Sequence, residues 1–392
     1  MIAQVFTQGD VRAVNQVLTH FLDNQDPAAL VSQLPPDVSH LLSDFLTSTS
    51  KLPDWTNQDE LATAEELFLD QGPLILLALT CSSLPECYIN GNEAEVLGVT
   101  NRLKGKRAYR RIQETAQLII DVLSQGAFTT RTGAGIVATQ RVRILHAGMR
   151  HLIGRAGSFK EVPSEDPIWK QISEYDAHQS AIKPINQEEL AYTLCTFSYV
   201  VLRSLGKLKV DITRDQQDAY VHSWALAGYL LGIRDDLIPV DFAQAESLFT
   251  RLKANQYRAT EEGRVLALSL RTYMAEVLST QSRLPWHVAI ACVGRQAATF
   301  LMRTLLCERT AIDLGIGRIS PLDRFVALLL RLTVRRVDEL QKDVGRTDLR
   351  PVLQWAEEHI IDGLTAMSTE WKGRLFAIPP NINSHWSKRR RK

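Results

Sequence analysis

Residues 106–125 read KRAYRRIQETAQLIIDVLSQ, and residues 136–153 read IVATQRVRILHAGMRHLI. In the first stretch Ile112, Thr115, Ala116, Ile119, Ile120 and Val122–Leu123 fall on one side of a helix, with most of the charge on the other. The second stretch follows the same period. So do 186–205, 214–231, 241–253, 260–279, 287–307, 322–345 and 351–368. These lengths suit helices, and most are too long for strands. Several carry ends of the right chemistry: Asp241 precedes position 242, Gly232 follows Leu231, and Pro321 and Pro351 sit near first-turn positions. No alternating run with a hairpin turn and no βαβ rhythm occurs. The pattern predicts an all-α fold.

Working outward, residues 1–60 are less tightly patterned and hold Pro35, Pro36 and Pro53. They are expected to be an N-terminal helical arm, packed on the main bundle or extending from it. Residues 61–375 are expected to form the main helical domain. Within it, 154–185 is rich in Gly, Pro, Ser and Asp and reads as a long connection. Residues 376–392 end in Lys388-Arg389-Arg390-Arg391-Lys392 and are expected to be a mobile basic tail.

Composition excludes several classes. The 392 residues include 45 basic and 44 acidic side chains, a net charge of +1, so the basic surplus of a nucleic-acid binder is missing. Five cysteines at irregular spacing form neither a disulfide framework nor a zinc motif. The start, MIAQVFTQGDVRAVN, has no basic region followed by an apolar one. The apolar run from Pro73 to Cys81 is far shorter than the roughly 20 residues of a transmembrane helix. A cytoplasmic protein is the expectation. Gly133-Ala134-Gly135 lacks the third glycine of a dinucleotide site, and GxSxG, HExxH, CxxC, CxxCH, a P-loop and paired ExxH helices are all missing.

Three segments carry candidate chemistry. In RVRILHAGMRH (141–151) a helix places Arg143, His146 and Arg150 on one side, beside Leu145, Met149 and Leu152. A buried arginine is costly without an anion. Haem would satisfy all three residues, because its iron takes a neutral imidazole, its propionates take arginines and its ring takes apolar walls. A hydrogen-bonded core histidine with arginines paired to acids elsewhere fits the same pattern. In RRIQET (110–115) Arg111 and Thr115 stack one turn apart. They could line a polar pocket for a small ligand, or form a salt bridge and a threonine back-bonded to its own helix. In DQQDAYVHSWALAGYLLG (215–232) Asp218 could orient His222, or both could be structural.

The order of these segments resembles a known family. SSLPECYINGNEAEVLGVTNRL (82–103), RRIQET, RVRILHAGMRHL (141–152), NQEELAYTLCTFSYVVLRSLG (186–206) and DAYVHSWALAGYLLGI (218–233) are similar to the latex clearing protein (rubber oxygenase) superfamily. That superfamily also includes the fungal oxygenase of the mycophenolic acid pathway. The resemblance covers roughly residues 65–310. It implies a globin-like helical bundle around a pocket for non-covalent haem b, with added N- and C-terminal helices. It implies oxidation of carbon–carbon double bonds in hydrophobic isoprenoid-like substrates with dioxygen.

By position, the resemblance assigns the iron to His146. It places Arg143 and Arg150 beside the cofactor, Arg111 and Thr115 on the distal side, and Thr193 and His222 at later pocket positions. Glu95 becomes the candidate carboxylate base, with Glu93 as its competitor. Glu114 stands where rubber-cleaving members can carry a lysine before the distal threonine, a departure that bears on the distal pocket. Two other readings remain open: a haem-binding sensor or carrier without catalysis, and a haem-free helical scaffold. Oligomeric state is not legible.

Overall fold

The computed structural model describes residues 31–99 except 33 and 35, 106–154, 183–279, 287–317 and 377–389. In chain order its helices are α1 (Pro36–Ser48), α2 (Gln58–Ala78), α3 (Leu84–Tyr88), α4 (Gly91–Val99), α5 (Lys106–Leu123) and α6 (Ala134–Gly154). There follow α7 (Gln187–Cys195), α8 (Val201–Lys207), α9 (Arg214–Leu231), α10 (Phe242–Gln256), α11 (Glu261–Ser279), α12 (His287–Leu305), α13 (Glu308–Asp313) and α14 (Pro380–Arg389). Among the described residues no strand forms; the one β-type pairing is an isolated bridge between Asn90 and Tyr257. The expected helices at 322–345 and 351–368, and nearly all of the connection at 154–185, lie outside the described residues.

The centre of the bundle is a rod from Gln58 to Tyr88, in which α2 passes through a π-helical turn, Leu79–Ser83, into α3. Asn57 starts it by accepting hydrogen bonds from the N–H groups of Asp59 and Glu60. Helices α5, α9, α12 and α14 all pack on the rod. Phe68, Ile75, Leu77, Ala78 and Leu79 have no exposed surface. A helix apolar all round is either a core helix or a membrane span. Here 83% of the most apolar window is buried within the bundle, so protein fills the role of lipid.

Pro73 sits inside this rod and lacks an N–H, which leaves the carbonyl four residues back without its helical donor. The indole of Trp386 supplies one: Nε1 donates to Leu69 O at 2.9 Å. Gly72 makes the space, since a Cβ there would lie 2.1 Å from the Trp386 ring. The ring packs edge-on to Phe68 at 5.8 Å and is 1% exposed. The expectation of a mobile end is therefore corrected for 377–389, because α14 is docked on the core through Trp386 and Ile382; positions 376 and 390–392 lie outside the described residues. The N-terminal arm also packs on the bundle where it is described. Leu42 and Phe45 of α1 are buried, and positions 58–60 already belong to α2.

Two of the helices that carry candidate residues, α7 and α9, are firmly ended. Asn186 and Glu189 form a capping box at the start of α7, as do Thr213 and Gln216 for α9. Gly232 closes α9 in the left-handed conformation, φ 82°. Helix α6 lies between α5 and α9. Glu86 on α3 is wholly buried, and it accepts from Arg203 at 3.0 Å and from Lys253 at 2.6 Å. Lys253 also donates to Thr310 at 3.1 Å.

Candidate functional site

His146 lies near the middle of α6, with Arg143 three residues before it and Arg150 four after it. The imidazole keeps some accessible surface, yet it lies deep enough that burial drives its pKa down to about 3. The charges of Arg150 and Arg111 push the same way. The ring is therefore neutral at physiological pH, and no hydrogen-bond partner for it occurs among the described residues. Its nitrogens are thus left free for a ligand among the described residues, and part of the ring is accessible.

The two arginines are held by backbone carbonyls. Arg143 Nη1 donates to Leu230 O at 3.0 Å, one of the carbonyls left over at the end of α9. Its guanidinium lies 5.7 Å from the Phe45 ring centre and covers Gly232, where a Cβ would come within 2.7 Å. Arg150 Nη1 donates to Ile185 O at 3.1 Å. Ile185 has φ 54°, a strained conformation for a β-branched residue. Each guanidinium has five N–H donors, so most remain for another acceptor. Burial, and next the charge of Arg143, depress the pKa of Arg150. Two like charges this placed are stabilised by an anion between or beside them.

Across from α6, Arg111 on α5 is close enough to act electrostatically on His146, Tyr88 and Glu93. Thr115, one turn on, donates to Arg111 O at 3.0 Å and still has lone pairs to accept with. Glu93 on α4 faces the same region, and the Thr193 hydroxyl of α7 donates to its Oε1. Burial raises the Glu93 pKa to about 8; the Thr193 bond and Arg111 oppose the rise, and Glu189 adds to it.

Two expected site residues are not brought to this group. Glu95 points away, its Oε1 2.6 Å from Arg258 Nη1. It lies two residues from Glu93, hence about 200° round the helix, and the two acids cannot face the same way. His222 is occupied at both nitrogens: Nε2 accepts from the Asn57 N–H at 3.1 Å, and Nδ1 lies 3.2 Å from Glu60 Oε2. Trp55 packs edge-on against it at 5.5 Å. His222 thus pins the start of α2 to α9 and offers no free nitrogen to a ligand. Glu114 is likewise spent, paired to Arg110 at 2.9 Å.

One participant went unread in the sequence. Glu189 is 2% exposed, its pKa is raised by burial, and it lies one turn before Thr193. Its place in the Asn186-x-x-Glu189 capping box was the available signal. Among the described residues no three His, Cys, Asp or Glu side chains converge as metal ligands. A metal at His146 would need its other ligands from a bound molecule, and Arg143 and Arg150 could hold carboxylates on such a molecule.

The profile of a family described as "ER-bound oxygenase mpaB/B'/Rubber oxygenase, catalytic domain" matches residues 90–338. The chain belongs to this family. The matched span opens at the α4 turn and takes in Glu93, Arg111, Thr115, His146 and Thr193. Over 279 residues the chain is 25% identical to a rubber oxygenase of Streptomyces sp. (strain K30), covering 71% of this chain and 62% of that protein. It therefore spans less than two thirds of that relative's length. In fold it is similar to the closed state of the latex clearing protein LCP. The TM-score is 0.63 at 21% identity, with 92% of this chain and 87% of the other covered. Membership in the mpaB/rubber oxygenase family agrees with the all-helical architecture and with the resemblance seen in the ordered motifs.

Proposed function

We propose that this chain is a haem-b-dependent oxygenase acting on carbon–carbon double bonds of a hydrophobic, isoprenoid- or lipid-like substrate with dioxygen. The observation that carries the proposal is the neutral, accessible and unpartnered imidazole of His146 between two arginines with spare donors. Non-covalent haem b fits that set, with His146 on the iron and Arg143 and Arg150 at the propionates. When bound, haem supplies the activation of dioxygen.

The remaining residues do ordinary acid–base and electrostatic work. Glu93 is the group that moves a proton. As a carboxylate it removes an allylic proton from the substrate, and its raised pKa makes it a stronger base than an exposed glutamate. Thr193 fixes the carboxyl by its hydrogen bond. Arg111, close to both Glu93 and His146, stabilises negative charge developing between them. Thr115 presents its hydroxyl oxygen one turn away. Glu93 replaces Glu95 as the candidate base, and His222 leaves the pocket set.

The test is to reconstitute the purified chain with hemin and follow oxygen uptake with an emulsified cis-polyisoprene oligomer. The proposal expects a Soret band and substrate-dependent uptake. A Soret band without uptake on any unsaturated apolar probe would favour a haem carrier or sensor, and no Soret band would leave a haem-free helical scaffold.

A further inference from the structure

We propose that Arg258, acting through Glu95 and Asn92, is the positioning residue that turns Glu93 into the site. The inference rests on the reading of Glu93 as the proton-moving group. Helix α4 has nine residues, too few to be stable or fixed in orientation by itself. Glu93 and Glu95 lie on opposite sides of it, so whatever holds one determines the other.

The hold comes from the loop between α10 and α11. Arg258 Nη1 donates to Glu95 Oε1 at 2.6 Å, and Nη2 donates to Asn92 Oδ1 at 2.8 Å. The Arg258 backbone N–H donates to Ile89 O at 3.0 Å, and Asn90 Nδ2 donates to Gln256 Oε1 at 2.7 Å. The guanidinium lies flat on Gly91, where a Cβ would stand 2.6 Å from it. Asn92 also lies near enough to Glu189 to oppose the rise of its pKa. One arginine thus grips two successive turns of α4 from outside, at Asn92 and at Glu95. A forked guanidinium on two acceptors fixes rotation as well as distance, which a single lysine ammonium would do less well.

The groups facing Glu93 are Arg111 from α5, Glu189, Tyr192 and Thr193 from α7, and Cys87 and Tyr88 from α3. With the clamp removed, α4 can roll. Glu93 then leaves Thr193, gains water and titrates lower.

The test uses the full-length, haem-free chain. Infrared titration follows the C=O band of the protonated carboxyl, assigned to Glu93 by its disappearance in Glu93→Gln. In the parent chain the band is expected to titrate near pH 8. Arg258→Met should lower that midpoint by about one pH unit or more, with Arg258→Lys falling between. In the haem-loaded enzyme Arg258→Met should cut oxygen uptake on the polyisoprene probe about tenfold and shift the pH–rate midpoint the same way, with the Soret band unchanged. A folded Arg258→Met protein with the parent midpoint overturns the proposal. If Arg258→Met does not fold, Glu95→Gln decides: a smaller downward shift supports the clamp, and an unchanged midpoint overturns it. Parent-level oxygen uptake by Glu93→Gln would instead remove the role given to Glu93, while the band positions still report on the clamp.

Discussion

Two of the buried groups of charge among the described residues, one around Glu86 and one around His146, are built differently. Around Glu86 the carboxylate is fully answered: it accepts from Arg203 and Lys253, and Lys253 also reaches Thr310, while Arg203 Nε has no partner. Around His146 three arginines lie close to a neutral ring, two of them hold only a single backbone carbonyl each, and burial raises the pKa of both nearby acids, Glu93 and Glu189. In the first group the buried charge is answered by the fold, without a ligand. The second leaves donors and positive charge unanswered in a region that keeps accessible surface. Whether the fold itself answers the charge separates the two groups, where burial and residue type do not.

The largest effect is expected at Glu93: Glu93→Gln should lower turnover by about 10²–10⁴ while hemin still binds. The same variant carries a stability test. The folded pKa of Glu93 is raised above its unfolded value, so its neutral form is favoured in the fold. The parent chain is relatively stabilised at low pH and loses that advantage as pH rises through about 8. Glu93→Gln should therefore gain stability over the parent progressively from about pH 5 to pH 9, measured by urea melts of the haem-free chain. A gain independent of pH would contradict the burial of Glu93.

Next comes the complete cluster. Glu86→Ala leaves two cations facing each other and should cost about 3 kcal/mol of stability, read from the denaturation midpoint. Hemin affinity of the protein that remains folded should stay close to that of the parent. A loss of hemin affinity without a loss of stability would mean that the cluster belongs to the site.

The smallest effects are expected at the arginines. Arg143→Met or Arg150→Met should each weaken hemin binding about 10- to 100-fold. The haem-free chain should hold its stability or gain slightly, since a half-buried cation without a counter-charge is removed. Clear destabilisation of the haem-free chain by Arg150→Met would show that its bond to Ile185 O serves the fold first.

Much of this was legible in the sequence where geometry is local. The 3.6-residue period marked α5 and α6, and the caps at Asp241 and Gly232 marked their neighbours. The positions of Arg143, His146 and Arg150 placed them together on α6 without tertiary information. The central rod escaped because a helix buried on all sides has no polar face to reveal its period, and its apolar run was weighed only against a membrane. The docked end escaped because the basic run after it masks the single Trp386 that fits beside Gly72 and Pro73. Glu93 and Glu95 could not be told apart, since the choice between opposite faces of α4 is made by Arg258, more than 160 residues later. His222 had the right residue type near the right motif, but its nitrogens belong to Asn57 and Glu60.

The proposed ligation of haem iron rests on His146, neutral and without a partner among the described residues. Hemin titration of the parent chain and of His146→Ala, followed at the Soret band, tests it most directly. Saturable one-to-one binding by the parent is expected, and in a variant that remains folded, loss of the histidine-ligated spectrum with at least about 100-fold weaker retention. Equal affinity and the same spectrum in both proteins would contradict it.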